Sequence, residues 1–287
     1  MPKPKSVLIY FLALAAALPA AVHAQEDASS GEWDARVVST QGAVSVFPGG
    51  ASGSVPAAVG MPLEQGDRVT TGPGSSAEVG FDGLHLVSLN EDTDFTLRSD
   101  ARSLTELSLA SGGLLAKIHH LLSGQALQVE TPDAVAAVRG TEFGVGLTAE
   151  GTTDVGVFDE GRVAVSGTSG GPPQILTPNQ ETDVPRGRAP ARPHALRHFL
   201  RYRARMRRLL RRQRALRRFW RRMPAARRRL LRREMIRGAR ARRVRRFPGG
   251  RSNRLPVRGR GPLRRRLRRR RMYRKGRPDR WNQGGRR

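Results

Sequence analysis

The basic residues of this 287-residue chain are concentrated at one end. Residues 186–287 contain 43 arginines, one lysine and only two acidic residues, whereas residues 1–185 carry a net charge of −13. A segment with so many like charges repels itself and cannot close a hydrophobic core alone. The acidic part is long enough to form one sizeable core. The sequence therefore predicts an acidic folded body followed by a basic segment.

Residues 1–24 have the pattern of a secretory signal peptide. Two lysines precede the apolar run 7–17, and the small residues of 22–24 would permit cleavage. The apolar stretch is shorter than the roughly 18 residues that a membrane anchor needs, and an uncleaved anchor is the alternative. We expect a disordered N-terminus over residues 25–35 and a mature protein that is periplasmic or secreted, either soluble or peripheral to a membrane.

Apolar and polar residues alternate with a period of two over residues 36–184, as half-buried β-strands require. Asp82-Gly83 is typical of a two-residue hairpin turn with positive φ angles, and 159–161 predicts a second hairpin with Gly161 in the left-handed region. We find no convincing amphipathic helix in this part. These observations predict an all-β domain with its core at 60–166, built as a sandwich, a roll or a solenoid-like fold.

Several short motifs follow one another in a fixed order through this domain. They are 63–72 (LEQGDRVTTG), 76–79 (SAEV) with 82–83 (DG), 109–114 (LASGGL), 129–132 (VETP) with 138–143 (VRGTEF), and 157–163 (VFDEGRV). Together they resemble the FecR domain of bacterial envelope proteins. The resemblance implies a periplasmic sensing or binding module. Within these motifs, the residues that we expect to have structural roles are Gly66, Asp67, Asp82, Gly83, Gly140, Thr141 and Gly161.

The sequence offers no constellation for catalysis. Cysteine is absent, which excludes thiolate zinc sites, iron–sulfur clusters and cysteine nucleophiles. There is no nucleophile elbow, phosphate loop or dinucleotide fingerprint. Only His194 and His198 have the spacing of a helical metal pair, and no carboxylate accompanies them in the sequence. We therefore expect no enzyme activity, no cofactor and no bound metal.

Arg139 is the polar residue of the body with two competing interpretations. It follows an apolar stretch and precedes a predicted strand, which favours a bend near the core. In the structural interpretation Arg139 bridges backbone carbonyls or a carboxylate such as Glu142, and Gly140 permits the bend. In the functional interpretation Arg139 recognises an acidic partner.

After a predicted linker at 185–193, the pattern changes to a helical one over 194–247, and we expect residues 248–287 to be disordered. The heptad positions of the first helix, which should run to Pro224, are Phe199, Met206, Gln213 and Trp220, and Tyr202, Leu209, Leu216 and Met223.

Twelve arginines and no acid lie between residues 199 and 223. Like charges one turn apart each cost about 0.2–0.5 kcal/mol, so this helix should fray alone and should not pair with a second copy. The four anionic partners that would stabilise it are a membrane or lipopolysaccharide surface, an acidic envelope protein, the acidic body of the same chain, and nucleic acid, which export disfavours. The residues expected to contact the partner are Phe199, Leu209, Leu216 and Trp220, with Arg201, Arg205, Arg208, Arg212, Arg218 and Arg222.

The sequence thus predicts an exported, non-enzymatic binding or scaffold protein of the bacterial envelope. Its FecR-like module would bind an envelope partner, while the arginine-rich segment docks on an anionic surface. One alternative is a protein that condenses nucleic acid or another polyanion through the arginine-rich segment. The other is a signal-transducing anti-sigma regulator of the FecR type with an uncleaved anchor.

Overall fold

The computed structural model describes residues 31–51 and 53–246. The predicted signal peptide and the predicted disordered tail at 248–287 lie outside the described residues. No helix of the described part is both long and apolar enough to cross a membrane.

The described residues form two nine-stranded β-sheets followed by helices, which confirms the predicted fold class. The first sheet contains β1 (Ala35–Gln41), β4 (Pro62–Leu63), β6 (Ser76–Phe81), β7 (His85–Leu89), β10 (Gly113–Lys117), β13 (Glu142–Leu147), β14 (Thr153–Val157), β17 (Gln180–Val184) and β18 (His194–Ala195). The second contains β2 (Val44–Phe47), β3 (Val55–Pro56), β5 (Arg68–Thr71), β8 (Asp94–Asp100), β9 (Thr105–Ser111), β11 (Leu127–Glu130), β12 (Ala134–Val138), β15 (Val163–Gly167) and β16 (Gln174–Leu176).

The chain passes from one sheet to the other after every one or two strands. Strands therefore join each sheet nearly in chain order, and β4-β1-β6-β7-β10-β13-β14-β17-β18 is the order across the first. Neighbouring strands are antiparallel apart from β9 and β11, which are parallel. Alternate apolar side chains of both sheets form one hydrophobic core. Among the predicted architectures, this progressive winding fits the solenoid-like one.

Residues 31–35 belong to the folded body, so the expectation of disorder is wrong for them. Glu32 forms a β-bridge with Ala101, and Ala35 begins β1. Trp33 is 3% exposed, and its indole Nε1 donates to Thr105 Oγ1 over 2.8 Å. A buried aromatic residue with a satisfied N–H anchors this segment, a feature that its polar neighbours in the sequence obscure.

The β6–β7 hairpin is confirmed, with one correction to its turn. Asp82 and Gly83 have φ angles of 49° and 68°, as predicted. The loop nevertheless has three residues, because Phe81 pairs with His85 and the N–H of Leu84 donates to Phe81 O.

The second predicted hairpin is wrong. Strands β14 and β15 lie in different sheets, so residues 159–161 carry the chain across the core instead of reversing it. Gly161 does adopt a positive φ of 97°, and a Cβ there would lie 2.6 Å from Gly140 O. The local pattern identified the turn but could not show which strands it joins.

The predicted linker and helical region also begin differently. Residues 185–193 lead into β18, and the N–H of Ala191 donates to Asp183 O. A single 3₁₀ turn at Phe199–Tyr202 precedes helices α1 (Arg203–Phe219) and α2 (Ala225–Arg246). Helix α1 stops short of Pro224 because Trp220 turns to extended backbone with ψ of 128°.

Candidate functional site

The apolar face of α1 lies on the outer surface of the first sheet, against β7 and β10. Met206 and Leu209 are 1% and 3% exposed. They join Leu86 and Leu115 of the sheet in a second hydrophobic cluster that is separate from the core. Gln213 is also buried, and its Nε2 donates to Leu84 O over 2.6 Å. The heptad stripe predicted from the sequence therefore covers the body of the same chain.

Phe199 fills a notch made by two glycines. Gly144 of β13 and Gly156 of β14 are direct partners across the strand pair. A Cβ on Gly144 would lie 2.6 Å from Phe199 Cδ1, and one on Gly156 would lie 2.5 Å from Cδ2. The ring is 2% exposed and meets Phe158 edge to face, with 6.2 Å between centroids. Because both positions are glycine and carry no side chain, the two strands leave space for the ring of Phe199.

Trp220 occupies a second position that glycines keep open. A Cβ on Gly83 would lie 2.6 Å from Trp220 Cβ, and one on Gly80 would lie 3.1 Å from Cζ3. The guanidinium of Arg36 lies over the indole, 4.7 Å from its centroid. Glycine is therefore required at position 83 for two reasons: the backbone has a positive φ, and a side chain there would collide with Trp220.

Glu181 fixes the start of the helical segment. Its Oε1 accepts from the N–H groups of Arg197 and His198 at 2.8 and 2.9 Å, and its Oε2 accepts from Phe199 N–H at 3.1 Å. The residue is 4% exposed. A buried carboxylate that accepts hydrogen bonds from three N–H groups at the start of a helix also interacts favourably with the positive end of the helix dipole.

Carboxylates of the body pair with arginines of both helices and of the short segment between them. Burial raises the pKa of Glu78, one of these carboxylates. Where both side chains of such a pair are exposed to solvent, the pair contributes at most about 1 kcal/mol. The pairs are Asp159 with Arg203, Glu78 with Arg212, Asp82 with Arg222, Glu32 with Arg228 and Arg229, and both Glu64 and Asp67 with Arg232.

Asp67 is the most deeply buried carboxylate of this set, at 1% exposed. It accepts from the N–H groups of Gly49 and Glu64 at 2.8 and 3.0 Å and pairs with Arg232 of α2. Gly66, just before it, has a positive φ of 86°. The residue ties a loop of the body to the second helix.

The face of α1 that points away from the body carries arginines without carboxylate partners. We define the outer arginine face as Arg207, Arg214 and Arg218 of α1 together with Arg221, which lies two residues beyond the end of the helix. All four are exposed, and their side chains form no hydrogen bond or ion pair with any other residue that the structure describes.

The remaining predicted contact residues take intermediate positions. Leu216 is half-buried beside the second cluster. Arg201 is exposed, donates to His198 and lies over the ring of Tyr202. Arg205 is half-buried and donates to Ser88 Oγ and Leu89 O at 2.9 and 3.2 Å. Arg208 is exposed and lies at the mouth of a cavity beside α1.

The bridging role that the structural interpretation gives to Arg139 is wrong. Its side chain is exposed and has no hydrogen bond or ion pair within residues 31–51 and 53–246. Glu142 pairs instead with Lys117 Nζ at 3.2 Å. The bend itself is present: Gly140 has a φ of 64°, a Cβ there would lie 2.8 Å from the Cα of His120, and Thr141 is fully buried.

The two C-terminal histidines do have carboxylate neighbours, which the sequence did not indicate. His194 Nε2 lies 3.3 Å from Asp183 Oδ1, and His198 Nδ1 lies 3.5 Å from Asp154 Oδ2. Burial raises the pKa of Asp154. Within the described residues, no group of three or more His, Asp or Glu side chains is arranged to hold a metal ion.

An all-β module with α1 packed over its first sheet is the class that this geometry defines. Residues 67–169 match the model of the family described as FecR protein, so the body contains a FecR-like module, as the sequence motifs predicted. Two crystal structures of a candidate anti-sigma factor from Parabacteroides distasonis ATCC 8503 are similar at 18% identity and a TM-score of 0.40. The similarity covers 46% of this chain and 61% of that one. We find no match among curated proteins.

Proposed function

We propose that this is an exported, non-enzymatic binding or scaffold protein of the bacterial envelope. Its FecR-like body binds an envelope partner, and its helices hold an arginine-rich surface ready to dock on an anionic surface. The family match supports a regulator or binding module rather than an enzyme. The outer arginine face, left without carboxylate partners while the opposite face of α1 is buried, is the observation that carries the docking part of the proposal.

The buried face of α1 changes the expected mode of docking. Phe199 and Leu209 are among the residues expected to contact an anionic partner, but both are buried against the body of the same chain and cannot contact a membrane. Among the helix side chains whose burial the structure describes, Phe219 and Leu230 are the large apolar ones exposed by more than half, at 72% and 58%. Capture of the surface therefore depends mainly on charge, with each arginine near an anionic membrane contributing on the order of 1 kcal/mol.

Vesicle flotation of the mature full-length chain tests this proposal. We expect binding to phosphatidylglycerol vesicles, no binding to phosphatidylcholine vesicles, and a steep loss of binding with added salt because surface charges are screened. Arg207→Gln with Arg214→Gln should weaken binding by about tenfold. The charge-matched control, Arg98→Gln with Arg162→Gln in the body, should change it by less than about twofold.

Three results would contradict the proposal. One is equal binding to neutral and anionic vesicles, and another is an equal loss in the two double variants. The third is recovery of the chain from the cytoplasm with bound nucleic acid, which would instead favour the polyanion-condensing alternative.

A further inference from the structure

A cavity of about 720 Å³ lies between α1 and strands β1, β6 and β7 of the first sheet. Four arginines and one acidic residue, Glu78, line the cavity, so the lining is strongly basic even when that carboxylate is ionised. The four arginines in its wall all come from consecutive turns of α1, and they are Arg205, Arg208, Arg211 and Arg212.

Two of these arginines are fixed by the body. Arg205 is held by its bonds to Ser88 Oγ and Leu89 O. Arg212 is held by Glu78 at 2.5 Å and by Val38 O at 3.1 Å. Fixed guanidinium groups lose little conformational freedom when an anion binds, which favours affinity.

The other two arginines are free to bind a ligand. Arg208 and Arg211 are exposed, and neither forms a hydrogen bond or an ion pair with another described residue. They are three residues apart on one helix, so both can reach the same mouth of the cavity. The wall therefore combines two pre-positioned cations with two uncommitted ones.

The opposite wall supplies neutral polar groups. Strands β1 and β6 pair so that Ser39 lies opposite Glu78 and Gln41 lies opposite Ser76. Residues two apart on a strand share a face, so all four side chains point to the cavity side. The side chains of Ser39, Gln41 and Ser76 have no hydrogen-bond partner within the described part of the chain. They remain available to donate to a ligand oxygen.

We infer that this cavity is a binding site for a phosphate group, either free or carried by a lipid headgroup. A phosphate presents three or four acceptor oxygens, which suits a site with four guanidinium groups on one side and hydroxyl and amide donors on the other. A single carboxylate could satisfy at most two of the forks. The inference rests on the proposed function, because it names the chemistry that the arginine-rich helix recognises.

Arginine modification read residue by residue tests the site in the mature full-length chain. Phenylglyoxal labelling is followed by peptide mass spectrometry in inorganic phosphate and in chloride of equal ionic strength. Phosphate should slow the labelling of Arg208 and Arg211 at least about fivefold, since bidentate contacts block the guanidinium. Labelling of Arg207 and Arg214, on the outer arginine face of the same helix, should change by less than about twofold. Equal protection of all four overturns the inference in favour of general counterion binding.

Matched variants provide an independent measurement. Phosphate affinity is measured from the amide chemical shifts of Ser39 and Ser76. Arg208→Ala with Arg211→Ala should weaken it by about tenfold, whereas Arg207→Ala with Arg214→Ala leaves it within about twofold. Equal losses in the two variants refute the site.

Removal of the carboxylate that faces the ligand tests the sign of the electrostatic argument. Glu78→Gln should tighten phosphate binding by roughly fivefold, because one repulsive charge disappears. Arg212 keeps its bond to Val38 O in this variant, and an unchanged thermal transition shows that α1 stays docked. A folded Glu78→Gln protein with weaker phosphate binding contradicts the inference.

Vesicles distinguish the two sources of phosphate and separate the two proposals. Protection of Arg208 and Arg211 by phosphatidylglycerol vesicles identifies a headgroup, and protection by inorganic phosphate alone identifies a free anion; both support the site. Vesicle binding without any protection of these residues refutes the site and leaves the proposed function standing. Protection by phosphate without vesicle binding refutes the docking function and leaves the site standing.

Discussion

The glycine notch under Phe199 gives a prediction in which the sign of a substitution depends on a second residue. Gly144→Ala would place a Cβ 2.6 Å from Phe199 Cδ1 and 3.1 Å from Leu115 Cδ2. Overpacking of this kind costs about 1–3 kcal/mol of stability. Gly146 lies on the same strand, and a Cβ there would have no heavy atom within 4 Å. Gly146→Ala should therefore stabilise the protein by about 0.5–1 kcal/mol through the lower backbone entropy of alanine in the unfolded chain.

Phe199→Ala completes the cycle. Removal of a buried phenyl ring costs about 3–5 kcal/mol, and it also removes the obstacle to the new methyl group. Gly144→Ala should then be neutral or stabilising in the Phe199→Ala background, so the two substitutions couple by about 1–3 kcal/mol.

Urea unfolding of the four mature full-length proteins, followed by circular dichroism, measures this coupling. The Gly146→Ala control should give the same small gain with and without Phe199. Additive effects of Gly144→Ala and Phe199→Ala would refute the notch, and so would equal effects of alanine at 144 and 146. Either result would mean that Phe199 does not lie on β13.

Three further substitutions address other parts of the interface. Glu181→Gln should lower stability by about 1–3 kcal/mol because three N–H groups lose a charged acceptor. The control Asp183→Asn, at a carboxylate that is more exposed, should change stability by less than about 0.5 kcal/mol. Equal melting temperatures for the two variants would contradict the role of Glu181 as the cap of the helical segment. Gly83→Val should cost at least about 1 kcal/mol, because φ is positive and the new side chain meets Trp220; an unchanged urea midpoint would exclude both effects. Burial raises the pKa of Asp100 from 3.8 to about 6. Between about pH 4 and 6 the folded state therefore binds a proton that the unfolded state releases, so stability should fall as the pH rises through this range. Asp100→Asn should flatten this slope in pH-dependent melts, and a slope that survives the substitution belongs to other groups.

The all-β body could be predicted because its strands have a local signature. Alternation of apolar residues with period two fixes which face of each strand is buried. The motifs between residues 63 and 163 carried the FecR resemblance, which the family match over residues 67–169 confirms. Which strands pair with one another could not be predicted from this local pattern. Residues 159–161 look like a hairpin turn, but β14 and β15 belong to different sheets because each pairs with strands far away in the sequence.

The glycine positions contained a signal that the alternation alone did not exploit. Phe143 and Val145 point into the core, so Gly144 between them leaves the other face of the strand without a side chain. Gly156 does the same in the neighbouring strand. Two such glycines side by side indicate that another element approaches that surface closely, although only their pairing in the sheet reveals it.

The sequence by itself determined the two halves of opposite charge, the heptad stripe of the helical segment and its need for an anionic partner. Those features follow from local composition and periodicity. It left four partners open, and the tertiary structure selected the body of the same chain for the buried face of α1. The physical reason is distance along the chain: Asp34, Glu78 and Gly144 meet Met223, Arg212 and Phe199 only when the sheets have assembled. The same assembly leaves the outer arginine face and the basic cavity open, and it is there that the remaining anion is expected to bind.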